Sequence, residues 1–129
     1  MNCCICHKEI VKHGHSPKPL EGDICCNECN LNIVVPVRLF YALKDKALLI
    51  TTKGNLELVK PQHKHFTLKE LQKGVNGLIE GYPIDMTGYE VFVNEEGFIQ
   101  ELDYNRLASL IFGIDALGNV LIVPKELLE

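Results

Sequence analysis

Cys3-Cys4-Ile5-Cys6 and Cys25-Cys26-Asn27-Glu28-Cys29 hold all six cysteines of the sequence. Two Cys-x-x-Cys pairs stand out, Cys3 with Cys6 and Cys26 with Cys29. Each pair can offer two thiolates from one tight turn. Four such sulfurs are what Zn²⁺ takes in a closed tetrahedral site, at ~2.3 Å per sulfur. A segment of this size has few large hydrophobic residues and cannot bury enough apolar surface to fold by itself. Structural zinc supplies on the order of 10–16 kcal/mol in finger peptides, enough to make up that deficit. The spacing therefore predicts structural Zn²⁺ on Cys3, Cys6, Cys26 and Cys29, with Cys4 and Cys25 free or in contact with the ligands. A register using Cys4 with Cys6 fits knuckle spacing less well. The residue after the first knuckle is His7, at a position that often requires a left-handed backbone; His tolerates this better than most residues.

Working outward, the loop His13-Gly14-His15-Ser16-Pro17-Lys18-Pro19-Leu20 has turn chemistry without periodicity. Its histidines are read as loop residues, because both cysteine pairs are already complete. Asn27 to Ile33 is expected to be a short helix carrying the last ligand and stopping before Pro36. The N-terminus lacks the pattern of a signal peptide. In a reducing compartment, paired cysteines are metal ligands or catalytic groups more often than disulfides. No apolar run reaches the ~20 residues of a membrane span.

The rest of the 129 residues reads as strands and short helices. Ala47–Thr52 and Leu56–Val59 flank a Lys53-Gly54-Asn55 turn, which predicts a hairpin. Thr67-Leu68-Lys69-Glu70 is a capping box, and the helix it opens should end at Gly74 or Gly77. Leu78–Pro83 and Tyr89–Val93 read as strands. Asn94-Glu95-Glu96-Gly97 is expected to be the tip of a hairpin returning through Phe98-Ile99-Gln100. Asp103 should cap a helix from Tyr104 to about Phe112, with Tyr104, Leu107, Leu110 and Ile111 facing a core. Val120–Val123 closes the sheet. The predicted class is α+β. Residues 1–36 form a zinc-ribbon- or treble-clef-like module, 37–46 a connector, and 47–129 a β-β-α-β-β-α-β domain with its own core.

Charge is uneven along the chain. The net value is −4, yet residues 36–65 carry six Lys or Arg against Asp45 and Glu57, while residues 66–129 carry eleven acids against four bases. Lys53, Lys60 and Lys64, with Arg106 near a helix start, are the candidate contacts for an anion. Overall acidity argues against broad binding to nucleic acid.

Thr67-Leu68-Lys69-Glu70-Leu71-Gln72, Val75-Asn76-Gly77-Leu78-Ile79-Glu80, Val93-Asn94-Glu95-Glu96-Gly97 and Tyr104-Asn105-Arg106 resemble a small domain family of unknown function common in phages and mobile elements. The cysteine segment is similar to a short zinc module of the same kinds of genome. His7 and Asn76 depart from the Gly usual at each position. The resemblance implies phage origin, action in the cytoplasm of an infected bacterium and an accessory role, but no reaction.

Three function classes follow. A binding protein would occupy a host protein or a small anionic, nucleotide-like signal, to counter host defence. A nucleic-acid-associated regulator, using the zinc module as its contact surface, is the alternative. An enzyme is the least favoured, since no Ser-His-Asp ordering, phosphate loop or His-Glu-x-x-His is present and a four-thiolate zinc has no open position. No membrane partner is expected, and self-association stays open.

Overall fold

The computed structural model describes all 129 residues. The structure is mixed α/β. A five-stranded antiparallel sheet is built from β1 (Ala47–Ile50), β2 (Leu56–Val59), β3 (Ile79–Gly81), β4 (Tyr89–Asn94) and β5 (Val120–Pro124). The spatial order is β2-β1-β5-β4-β3. Every residue of the central strand β5 is buried, so it reads as an unbroken apolar run. Side chains alternate across the sheet with period two. Leu48, Ile50, Val91, Val120 and Ile122 pack into one cluster, while Ala47, Leu121 and Val123 pack into another.

The smaller cluster lies under α3 (Leu68–Val75), which contributes Leu71 and Val75. Thr67 opens α3 with a full capping box: its Oγ1 accepts from Glu70 N–H, and the Glu70 carboxylate accepts from Thr67 N–H. The helix ends on Asn76, not on Gly74 or Gly77. Asn76 takes the left-handed conformation itself, at φ 61°, which Asn adopts more readily than other non-glycine residues. This element carries the chain from the β2 edge of the sheet to the β3 edge.

The other face carries α1 (Asn27–Cys29), α2 (Val35–Leu43), α4 (Arg106–Phe112) and the cysteine segment. The helix expected to stop before Pro36 runs through it. Between α1 and α2, Asn30–Val34 forms a π turn, in which Val35 N–H bonds Asn30 C=O. The wider turn accommodates the proline, which has no N–H to give and whose ring would crowd an α-helical carbonyl. Pro36 then sits in the first turn of α2.

Residues 37–46 are accordingly no spacer. Val37 and Phe40, like Val34 just before them, are almost fully buried, and burial contributes ~1.5–3 kcal/mol for each such side chain. That sum is comparable with the whole stability of a typical domain, ~5–15 kcal/mol. The expectation of separate cores is also corrected. Cys3, Ile5, Cys25, Cys29 and Ile33 belong to the same buried cluster as Leu48, Val91 and Ile122.

Two further expectations change. The turn at Asn94–Gly97 exists, with Gly97 N–H bonding Asn94 C=O, but no strand returns through 98–100. Both edges of β4 are already taken by β3 and β5, and the chain continues in successive turns that leave Phe98 and Ile99 exposed. The cap of α4 is Asn105, not Asp103, because Asn105 is buried and its Oδ1 accepts from Ala108 N–H. Leu107 faces the core as expected, whereas Tyr104 and Leu110 are exposed. No helix is long and apolar enough to cross a membrane.

Candidate metal centre and the groove beside it

The first knuckle sits at the end of a small hairpin. Cys3 N–H bonds Lys8 C=O and His7 N–H bonds Cys3 C=O. His7 takes the left-handed backbone at φ 66°, which reverses the chain behind Cys6. The second knuckle is a helix start. Cys26 is the N-cap of α1, and its sulfur accepts from Cys29 N–H at 3.4 Å. Cys4 N–H bonds Ile24 C=O, and His15 pairs with Cys25 through two backbone bonds, so the knuckles are tied side by side.

This brings the Sγ atoms of Cys3, Cys6, Cys26 and Cys29 within 4.8 Å of one another. Cys6 and Cys26 sulfurs are 3.8 Å apart. A tetrahedron with metal–sulfur bonds of ~2.3 Å has edges of ~3.8 Å. Amide N–H groups of Ile5 and Cys6 also point at Cys3 Sγ, at 3.4 and 3.5 Å. The four sulfurs lie close enough together that they could hold one metal ion. Cys4 and Cys25 lie outside the group, as do His7, His13 and His15.

The ionisation pattern of these thiols suits a cation. Burial resists charge on Cys3, but the amide groups of Cys6, Cys26 and Ile5 outweigh it and bring the thiol down to about 6. Cys29 is pushed strongly up, first by burial and then by the neighbouring cysteine sulfurs. Burial and the charge of Cys3 likewise raise Cys4 and Cys25. One negative charge is easy to place here and the next is costly, a cost that a divalent ion removes.

The four candidate anion contacts separate into two places. Lys53, in the β1–β2 turn, and Arg106, at the start of α4, line one groove of about 650 Å³ beside the metal centre. Lys60 follows the opposite end of β2, and Lys64 lies in the loop beyond it. The groove has Ile33, Leu107 and Leu110 among its apolar walls, with Cys6 and His7 at the knuckle side, and no carboxylate lines it. The two salt bridges of the molecule join Lys46 to Asp45 and Lys125 to Glu90, so Lys53 and Arg106 are both unpaired. Asn105, next to Arg106 in the chain, does not face the groove as an anion contact but is committed elsewhere. Its Nδ2 donates to the carbonyls of Ile50 and Gly118.

Arg38 was not singled out by motif. From α2 it donates to the carbonyls of Lys18 and Ser16, at 2.6 and 2.8 Å, and so pins the loop between the knuckles. Comparison with family models, curated proteins and solved structures returned no match.

Proposed function

We propose that this chain is a zinc-stapled, non-enzymatic binding protein whose basic groove receives a small anionic, nucleotide-like ligand. The observation that carries the reading is the convergence of unpaired Lys53 and Arg106 on one apolar-walled groove free of carboxylates. Arg can grip a phosphate through two N–H groups and Lys adds a mobile charge, while the apolar walls suit a flat organic body. Zinc is the metal that best suits four thiolates in a reducing cell, in a module of the ribbon or treble-clef kind. With all four positions taken by sulfur, the metal shapes the groove and does no chemistry in it. On this reading the ligand is a signal of an infected bacterium, as the sequence resemblance to phage and mobile-element proteins would imply, and its sequestration would counter host defence.

Calorimetry of the zinc-loaded chain against nucleotides and cyclic nucleotides tests this. Binding without turnover is expected for at least one of them. Lys53→Ala and Arg106→Ala should each weaken it roughly ten- to hundredfold, the equivalent of ~1.5–3 kcal/mol for a bond to a charged group. Lys60→Ala and Lys64→Ala should leave it unchanged. Absence of heat across the panel would sink the reading, and multiple turnovers would make the protein an enzyme. A host protein as partner is the second reading, favoured by Phe98 and Ile99, which are 85% and 77% exposed at one loop tip. A bound protein lost on Phe98→Ser would support it.

A further inference from the structure

Two grooves flank the exposed ridge of α4, and they carry opposite charge. The basic groove holds Lys53 and Arg106. On the other side lies a groove of about 590 Å³ whose charged residues are Glu21 and Asp85, with no Lys, Arg or His lining it. Both grooves share Ile5, Ser109 and Leu110 as a common wall. Leu110 is 52% exposed, an apolar side chain standing between the two. None of Lys53, Arg106, Glu21 or Asp85 is in a salt bridge within the chain.

We infer that this face binds a second copy of the same chain, two α4 helices meeting across a two-fold axis at Leu110. With the two-fold axis running along the ridge, the operation exchanges its two sides. It lays the basic groove of each copy over the acidic groove of the other, pairing Arg106 and Lys53 with Asp85 and Glu21 of the second copy. Leu110 meets its own counterpart at the centre, where water is excluded, and the charges form the rim. The required complement is thus carried on the same surface, in the arrangement that a closed dimer uses. Because the second copy and an anionic ligand contact the same Arg106, they compete, so a bound nucleotide dissociates the dimer.

Sedimentation velocity of the zinc-loaded full chain over a range of concentrations and salt tests the assembly without any ligand. A reversible dimer that weakens as salt rises is expected. Arg106→Glu and Asp85→Lys should each raise the dissociation constant at least tenfold, and an equimolar mixture of the two variants should restore association, since both cross-contacts are again of opposite sign. Circular dichroism of each variant checks that it is folded, and the surface substitution Leu110→Ser gives an independent loss of association. A chain that stays monomeric at every concentration overturns the inference, as does a dimer indifferent to both charge reversals or a mixture that fails to recover. Silent calorimetry with nucleotides would remove the proposed ligand and leave this assembly standing; a monomeric chain would remove the assembly and leave the ligand.

Discussion

Two buried asparagines hold the connections of the sheet together. Asn105 joins β1, α4 and the start of β5 by bonding the carbonyls of Ile50 and Gly118 and the amide of Ala108. Asn94 donates to the carbonyls of Val75 and Asn76 and accepts from Glu96 N–H at 2.7 Å, which fixes the end of α3 against the end of β4. Removing one side of a buried bond exposes the cost of leaving the other unsatisfied, ~1–3 kcal/mol per group. Asn105→Ala is therefore expected to lower stability by ~3 kcal/mol or more, at ~1–3 kcal/mol for each of the three groups it orphans, as measured by urea unfolding of the metal-loaded protein. Asn105→Asp should be no rescue, because a carboxylate cannot donate to two carbonyls. In the sequence both residues look like turn or surface polar groups, since their partners are distant in the chain: Asn105 and Ile50 are 55 positions apart. His7 was legible for the opposite reason. Its left-handed backbone follows from the knuckle it closes, a requirement set within a few residues.

At the level of elements, the same contrast between local and distant causes recurs. The capping box of α3 is a four-residue pattern with a local geometry, and it is present as read. Thr67→Ala removes the Oγ1 acceptor of Glu70 N–H and should cost ~1 kcal/mol, the usual value for an N-cap. In denaturant titration this should appear as a lower midpoint with an unchanged slope. Pro36 misleads because Val35 adopts the α region (φ −61°, ψ −48°) that a residue before proline usually avoids, and the π turn preceding it widens the helix there. What favours that turn is the apolar face of 33–40, whose burial against β1 and the cysteine segment rewards one uninterrupted rod. The missing strand at 98–100 has a similar origin. Its residues alternate suitably, but β4 has no free edge to offer.

For the molecule as a whole, the mixed α/β class and the four-sulfur cluster were legible, and the sharing of one core between them was not. Spacing of cysteines is a property of the chain; which face of a sheet they cover is not. That sharing alters what metal removal should do. The order of magnitude of structural zinc binding, ~10–16 kcal/mol in finger peptides, equals or exceeds the ~5–15 kcal/mol that holds a domain folded. Chelation, or Cys29→Ser, is expected to weaken the sheet together with the cysteine segment in one cooperative transition. Hydrogen exchange checks this: protection should fall in β1 and β5 as well as in residues 1–30. Loss confined to the first thirty-odd residues would return the chain to two independent units. The helical run from Cys29 to Leu43 also ends in a cluster of rings. Phe40 lies 5.4 Å from Tyr41 and 5.1 Å from Tyr89 of β4, centroid to centroid, and Tyr41 meets Tyr89 edge-on at 5.7 Å. The sequence contains no tryptophan, so none is present to take up by energy transfer the light that the tyrosines absorb. The protein is in effect expected to be its own gauge: the rod that starts at a candidate metal ligand ends on the chromophores, so tyrosine emission should change when a bound ion is removed.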